Sequence, residues 1–112
     1  MSALTETEYH RLCERVLSAI EQTVDRWLQH DVIDIDAQRT GGLLELVFPD
    51  RSRIVVNTQP PLHELWLASR AGGYHYRHAQ GRWIDTRDGS EFYAVLSREA
   101  SAQAGRPLSF EG

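Results

Sequence analysis

Carboxylate side chains dominate the first third of this chain. Positions 1 to 36 hold eight carboxylates against three arginines, whereas positions 37 to 112 hold eight against nine. The first segment therefore carries a charge of −5 and the rest of the chain +1, which together give the net charge of −4. Carboxylate oxygens are ligands for hard cations, and an exposed row of them attracts basic proteins and repels nucleic acid. Six of these residues have spacings that could bring them together: Glu14, Glu21, Asp25, Asp31, Asp34 and Asp36.

A long amphipathic helix is predicted to carry the first of these acids. Thr5 followed by Glu8 has the spacing of a capping box. Apolar residues then recur at helical spacing from Tyr9 to Leu28, so we expect the helix to end near His30. The opposite side of the helix is one exposed stripe that includes Glu14, Glu21 and Asp25.

The remaining acids lie on or beside a predicted first strand. From position 33 to 38 apolar and polar residues alternate, which puts Asp34, Asp36 and Gln38 on one side. If this strand is the sheet edge beside the helix, Asp34 and Asp36 approach the helical stripe, with Asp31 in the connection. Two interpretations stay open: a site for cations or a basic partner, or a charged surface that only keeps the helix solvated and the edge strand from aggregating.

Period-two segments separated by turn residues follow over the middle of the chain. A second helix is predicted with Asp88 as its N-cap and Glu91 three residues later, and with Gly105 and Pro107 ending it. We expect one α+β domain over residues 1–112, a two-layer α-β sandwich. Its antiparallel sheet of five to six strands would carry the N- and C-terminal helices on one face and leave the other open. The predicted strands after the first are 43–48, 53–58, 64–69, 74–78 and 82–85.

Trp66 alternates with Leu65 and Leu67, so it faces the opposite way from both leucines. If the leucines enter the core, Trp66 is an anchor for a protein partner on the open face; the inverse assignment makes it a core residue. The sequence alone leaves this choice open. The aromatic segment 74–76 beside Trp66 could also hold a flat haem, with a histidine or Cys13 as axial ligand.

Several classes of function are disfavoured by the composition. All twelve basic residues are arginine, which excludes Schiff-base chemistry and a phosphate-loop lysine. An acidic pI near 5.7 without a basic stripe argues against nucleic acid. No apolar run approaches the roughly 20 residues that cross a membrane, and the N-terminus does not have the pattern of a signal peptide. With a lone cysteine and no nucleophile motif, we expect a cytoplasmic protein that is not an enzyme, with weak ferroxidase activity at the carboxylates as the one enzymatic alternative.

One long motif resembles the frataxin family, in particular its bacterial members. Residues 57–68 read NTQPPLHELWLA and are followed by GGYH at 72–75. The similarity extends to residues 8–12, to 34–36 and to 103–105, and so spans essentially the whole chain. The resemblance implies the α-β sandwich described above and an iron-binding protein of iron–sulfur cluster assembly. It implies an iron-dependent regulator or modulator that docks on the cysteine desulfurase, and as a further partner the iron–sulfur scaffold protein.

The resemblance also implies roles for particular residues. Weakly bound iron, Fe²⁺ or Fe³⁺, would be held by Glu14, Glu21, Asp25, Asp31, Asp34 and Asp36. The partner surface would comprise Glu21, Asp25, Asp34, Asp36 and Trp66, on a monomer that metal could link into oligomers. Gln22, Arg26 and Gln38 stand where relatives often have further carboxylates, so we expect a thinner acidic surface here. The alternative function is that of a regulatory docking module, in which the acidic surface binds a basic partner and iron binding is incidental.

Overall fold

Two helices and a six-stranded antiparallel sheet make up residues 4–112, the part of the chain that this computed structural model describes. The strands are hydrogen-bonded in chain order from β1 to β6. This confirms the predicted α+β sandwich. The elements are α1 (Glu6–Gln29), β1 (Asp36–Thr40), β2 (Leu43–Val47), β3 (Arg53–Gln59), a 3₁₀ turn (Pro60–Leu62), β4 (Glu64–Ser69), β5 (Gly72–Ala79), β6 (Arg82–Asp85) and α2 (Phe92–Ala104).

One face of the sheet forms the core with both helices. Seven alternate side chains on the central strands are fully buried, because period-two alternation places them beneath the helices. These residues are Leu44, Leu46, Ile54, Val56, Leu65, Leu67 and Tyr76. They belong to one cluster with buried residues of α1, such as Tyr9 and Ile20, and of α2, such as Phe92 and Leu96. The intervening side chains lie on the uncovered face. None of the helices in the described part of the chain is long and apolar enough to cross a membrane.

Both ends of α1 are capped by hydrogen bonds. The predicted capping box is confirmed, since the Thr5 hydroxyl accepts from the Glu8 N–H at 3.1 Å and Glu8 accepts from the Thr5 N–H at 3.0 Å. At the other end the Asp31 N–H bonds the Leu28 carbonyl at 3.2 Å and the Val32 N–H bonds the Trp27 carbonyl at 2.8 Å. This is a Schellman motif, which needs a left-handed residue that is usually glycine.

Asp31 fills that left-handed position with a φ of 54°. Both its side chain and its negative charge at a helix C-terminus are unfavourable there. Asp31→Gly should therefore raise the free energy of unfolding by about 1 kcal/mol in a urea titration. Asp31→Asn removes only the charge and should recover about half of that gain. Destabilisation by Asp31→Gly would contradict this explanation.

The two largest errors in the predicted boundaries, three residues each, concern the starts of β1 and α2; the other strand ends differ by at most two residues. The first strand begins at Asp36 rather than at residue 33, because β2 ends at Val47, the pairing partner of Asp36. Phe48 beyond it bonds the Ser52 carbonyl in a turn, so residues 33–35 have no strand to pair with. The N-cap of α2 is Glu91, not Asp88, since the Glu91 carboxylate accepts from the backbone N–H groups of residues 93 and 94.

Candidate functional site

The acidic ridge, defined as Glu14, Glu21, Asp25, Asp31, Asp34 and Asp36, follows α1 and the start of β1. An open groove of about 340 Å³ separates the helix from the strand, with Val24 and Ile35 on its apolar floor. Four ridge residues line this groove: Glu21, Asp25, Asp34 and Asp36. Asp31 lies beyond the helix end, and Glu14 lines a different groove, toward the turn between β1 and β2. The structure thus brings four of the six predicted residues together.

Arg39 neutralises part of the ridge, and the sequence analysis missed it. Its side chain donates from Nη1 to Glu21 at 3.0 Å and to Glu14 at 3.3 Å, and from Nη2 to Glu14. The guanidinium holds the pKa of the Glu14 carboxyl below its ordinary value. The period-two pattern could have revealed this contact, because residue 39 shares a strand face with Ile35 and Ala37, toward the helix.

The four aspartates of the ridge have no ion-pair partner among residues 4–112. Asp25 accepts a hydrogen bond from the Gln29 amide at 3.1 Å, and Asp36 accepts one from the Gln38 amide at 3.2 Å. Asp31 and Asp34 are exposed. We call Asp25, Asp31, Asp34 and Asp36 the open aspartates, because they carry the uncompensated charge of the ridge.

The open aspartates do not form a closed metal cage. Within residues 4–112 no group of three or more His, Cys, Asp or Glu side chains is close enough to hold one metal ion. Carboxylates spread along an open groove can contribute one or two oxygens each to a cation that keeps much of its water. The donor chemistry therefore fits a hard cation that is held by a few carboxylate oxygens.

Trp66 lies on the open face of the sheet. Leu65 and Leu67 on either side are buried, so the alternative in which Trp66 is a core residue is wrong. The indole is half-buried and stacks on the His75 imidazole, with centroids 4.1 Å apart and planes 6° apart. An apolar depression beside this pair is bounded by Val55 and Ala68.

Glu64 holds this aromatic pair in place, a role that sequence reasoning missed. Although it lies on the open face, Glu64 is only 5% exposed. Its carboxylate accepts from the Trp66 indole N–H at 2.9 Å and from Arg77 Nε at 2.9 Å. Its Oε1 is also 4.0 Å from His75 Nδ1. The only sequence signal was that Glu64 shares the strand face of Trp66.

Glu64→Ala should release the Trp66 indole. The three tryptophans should give separate indole signals in a ¹H–¹⁵N spectrum. Loss of the acceptor should move the Trp66 signal and speed its hydrogen exchange about five- to tenfold. Trp27 and Trp83 serve as internal controls, and Glu64→Gln should change little because the amide oxygen still accepts. Equal exchange in the alanine variant and the parent would contradict the role of Glu64.

The haem alternative fits this geometry poorly. Residues 74 and 76 share one strand face, and Tyr76 is fully buried beneath α2, on the opposite side of the sheet from Trp66 and His75. Cys13 is only 3% exposed, in the core beneath α1. Burial also raises the pKa of its thiol, so the thiolate that would ligate haem iron is disfavoured. The aromatic segment therefore forms no single platform.

The fold is a small α-β sandwich: two helices cover one face of an antiparallel sheet, the other face is open, and one edge is acidic. The chain belongs to the frataxin family: the model of the frataxin-like domain matches residues 2–106. A relative from Delftia acidovorans (strain DSM 14801 / SPH-1), named iron-sulfur cluster assembly protein CyaY, is 52% identical over 109 residues. That match covers 96% of this chain and 97% of the relative.

Two solved structures of frataxins have the same fold as this chain. Frataxin from Psychromonas ingrahamii superposes with a TM-score of 0.85 at 31% identity, covering 97% of this chain and 100% of that one. Trimeric frataxin from Saccharomyces cerevisiae, complexed with ferrous iron, superposes with a TM-score of 0.68 at 23% identity, covering 95% of this chain and 91% of that one. At that identity the yeast protein shares the fold alone.

Proposed function

We propose that this protein acts in cytoplasmic iron–sulfur cluster assembly, as a non-catalytic, iron-binding regulator that docks on the cysteine desulfurase. The name of the Delftia relative, an iron-sulfur cluster assembly protein, supports this pathway. The observation that carries the proposal is the row of open aspartates, which have no ion-pair partner in the described part of the chain. Such a row can hold ferrous or ferric iron and can meet a basic surface.

Iron would be cargo rather than a resident cofactor. Asp25, Asp34 and Asp36 line one groove and would supply oxygen ligands from both of its sides. Because these carboxylates are solvent-exposed, the ion would exchange readily, which suits transfer or sensing more than storage. An iron ion shared between ridges of two molecules would also link monomers into a metal-dependent oligomer.

Docking would use the same charges. Complementary charges accelerate and orient association, and their effect weakens with salt. Trp66 on the open face would add an apolar anchor at the partner interface, and the scaffold protein is a second candidate occupant of that face. Docking that does not depend on iron remains the alternative form of the proposal.

The proposed docking is tested by measuring the affinity of charge-reversal variants for the cysteine desulfurase. Asp34→Arg should weaken binding about tenfold or more at low salt, because it reverses a charge at the groove. Asp34 is exposed and its side chain makes no hydrogen bond within residues 4–112, so the variant should keep its thermal stability. Glu111→Arg is the matched control, an equal charge reversal near the C-terminus, and it should change binding much less.

Calorimetric titrations at several salt concentrations, with and without ferrous iron, give the measurement. Affinity should fall steeply with salt for the parent and less steeply for Asp34→Arg. Equal affinities for Asp34→Arg and Glu111→Arg would exclude the ridge as the docking surface. If iron leaves the affinity unchanged, the iron-independent form of docking is the correct one.

A further inference from the structure

We propose that Arg39 is an internal counter-cation that closes the N-terminal part of the acidic ridge, at Glu14 and Glu21, and confines cation recognition to the open aspartates. The inference rests on the proposed function and defines which part of the ridge performs it. Glu14 and Glu21 would then be poor ligands in spite of their sequence positions, until something displaces the guanidinium.

Arg39 is built into the fold and is not a loose surface side chain. It lies on β1 opposite Leu44, on the helix side of the sheet, and its side chain is only 24% exposed. From there it reaches two carboxylates that are two turns apart on α1. The Nε–H also donates to the Gly41 carbonyl at 3.4 Å, so donors at all three nitrogens are engaged.

This geometry makes displacement costly for a competing cation. A guanidinium presents a rigid fork of donors, and its hydrogen bonds to carboxylates are among the stronger polar contacts in proteins. A metal ion at Glu14 or Glu21 would either break these bonds or lie beside an arginine of like charge. A lysine or arginine of a partner meets the same obstacle, whereas no arginine within residues 4–112 forms an ion pair with the open aspartates.

The charges of the two parts of the ridge differ accordingly. Glu14, Glu21 and Arg39 together carry −1, whereas the four open aspartates together carry −4 when all carboxyls are ionised. Arg106, which donates to the Val32 carbonyl, and Arg51 and Arg53, which line a groove with Asp34 and Asp36, lower this negative potential. They form no ion pair with the four aspartates in the described part of the chain, so the carboxylates that stay accessible to a cation lie where α1 ends and β1 begins.

Arg39→Gln tests the inference, with Arg82→Gln as the matched control. Both variants remove one positive charge, but Arg82 is exposed on β6, at the opposite edge of the sheet. Ferrous iron is added under anaerobic conditions, and backbone amide signals are followed by NMR. In the parent and in Arg82→Gln we expect signals at residues 25 and 31–36 to respond, while those around residues 14 and 21 stay unchanged.

In Arg39→Gln the response should spread to Glu14 and Glu21, and the apparent affinity for iron should rise about three- to tenfold. Arg39→Lys keeps the positive charge but loses the planar guanidinium, and it should give an intermediate response. This variant separates the effect of the guanidinium hydrogen bonds to Glu14 and Glu21 from the effect of charge alone. The amide spectra also report whether each variant is folded.

Two outcomes would overturn the inference: a response at Glu14 and Glu21 in the parent equal to that at Asp34, or identical titrations of Arg39→Gln and Arg82→Gln. Failure of the proposed function looks different. In that case iron leaves every ridge signal of the parent unchanged. Iron binding that appears only in Arg39→Gln would still support the role of Arg39 as an internal counter-cation.

Discussion

Replacing Tyr9 by phenylalanine should lower the free energy of unfolding by about 2–3 kcal/mol, although it removes a single oxygen atom. The Tyr9 ring is fully buried. Its hydroxyl donates to the Glu64 carbonyl at 2.5 Å and accepts from the Gln59 N–H at 2.9 Å. These two backbone groups lie where β3 and β4 meet the 3₁₀ turn, so phenylalanine would leave a carbonyl and an amide without their partner.

Tyr76→Phe is the matched control for this prediction. Tyr76 is also fully buried, but its hydroxyl has no hydrogen-bond partner within the described part of the chain. Removing that hydroxyl should leave the stability unchanged or raise it by up to about 1 kcal/mol. Urea unfolding of both variants gives the comparison. Similar losses in Tyr9→Phe and Tyr76→Phe would mean that the Tyr9 hydrogen bonds contribute nothing specific.

Gln103→Ala should lower the free energy of unfolding by about 2–3 kcal/mol, because the buried Gln103 amide connects α2 to two turns of the sheet by hydrogen bonds. Gln103 accepts from the Arg70 N–H at 3.0 Å, and it donates to the Ser52 hydroxyl at 2.9 Å and to the Arg53 carbonyl at 3.1 Å. Truncation would leave a backbone amide and a carbonyl unpaired at the ends of the strands.

Gln22→Ala provides the reference for that change. Gln22 is exposed in the interior of α1, so the same substitution there tests only helix propensity and should alter stability by a few tenths of a kcal/mol at most. Thermal unfolding of the two variants gives the measurement. If Gln103→Ala unfolds at the same temperature as Gln22→Ala, the hydrogen bonds of the Gln103 amide do not stabilise the fold as proposed.

Local periodicity was sufficient to predict most of the fold. The capping box at Thr5 and Glu8 is local, and the alternation around Trp66 gave the correct strand, so short-range patterns determine both features. The start of β1 was predicted wrongly because strand ends depend on the partner: residues 33–35 alternate properly but have nothing to pair with. Sheet pairing is a long-range property that alternation alone does not contain.

The ridge was predictable in outline but not in its charge balance. Helix and strand periods located the carboxylates, and they also placed residue 39 toward α1. What they could not supply was the distance across the gap, which allows Arg39 to reach Glu14 and Glu21 together. Glu64 was missed for a similar reason, since its burial comes from the neighbours Trp66 and Arg77 folding over it.

One measurement tests the central claim most directly: an amide NMR titration of the isotope-labelled protein with ferrous iron, repeated with unlabelled cysteine desulfurase present. We expect iron alone to affect signals around Asp25, Asp34 and Asp36, and the desulfurase to broaden those same signals together with signals near Trp66. Effects confined to α2 or to β6, or no effect of either partner on the open aspartates, would contradict the proposed function.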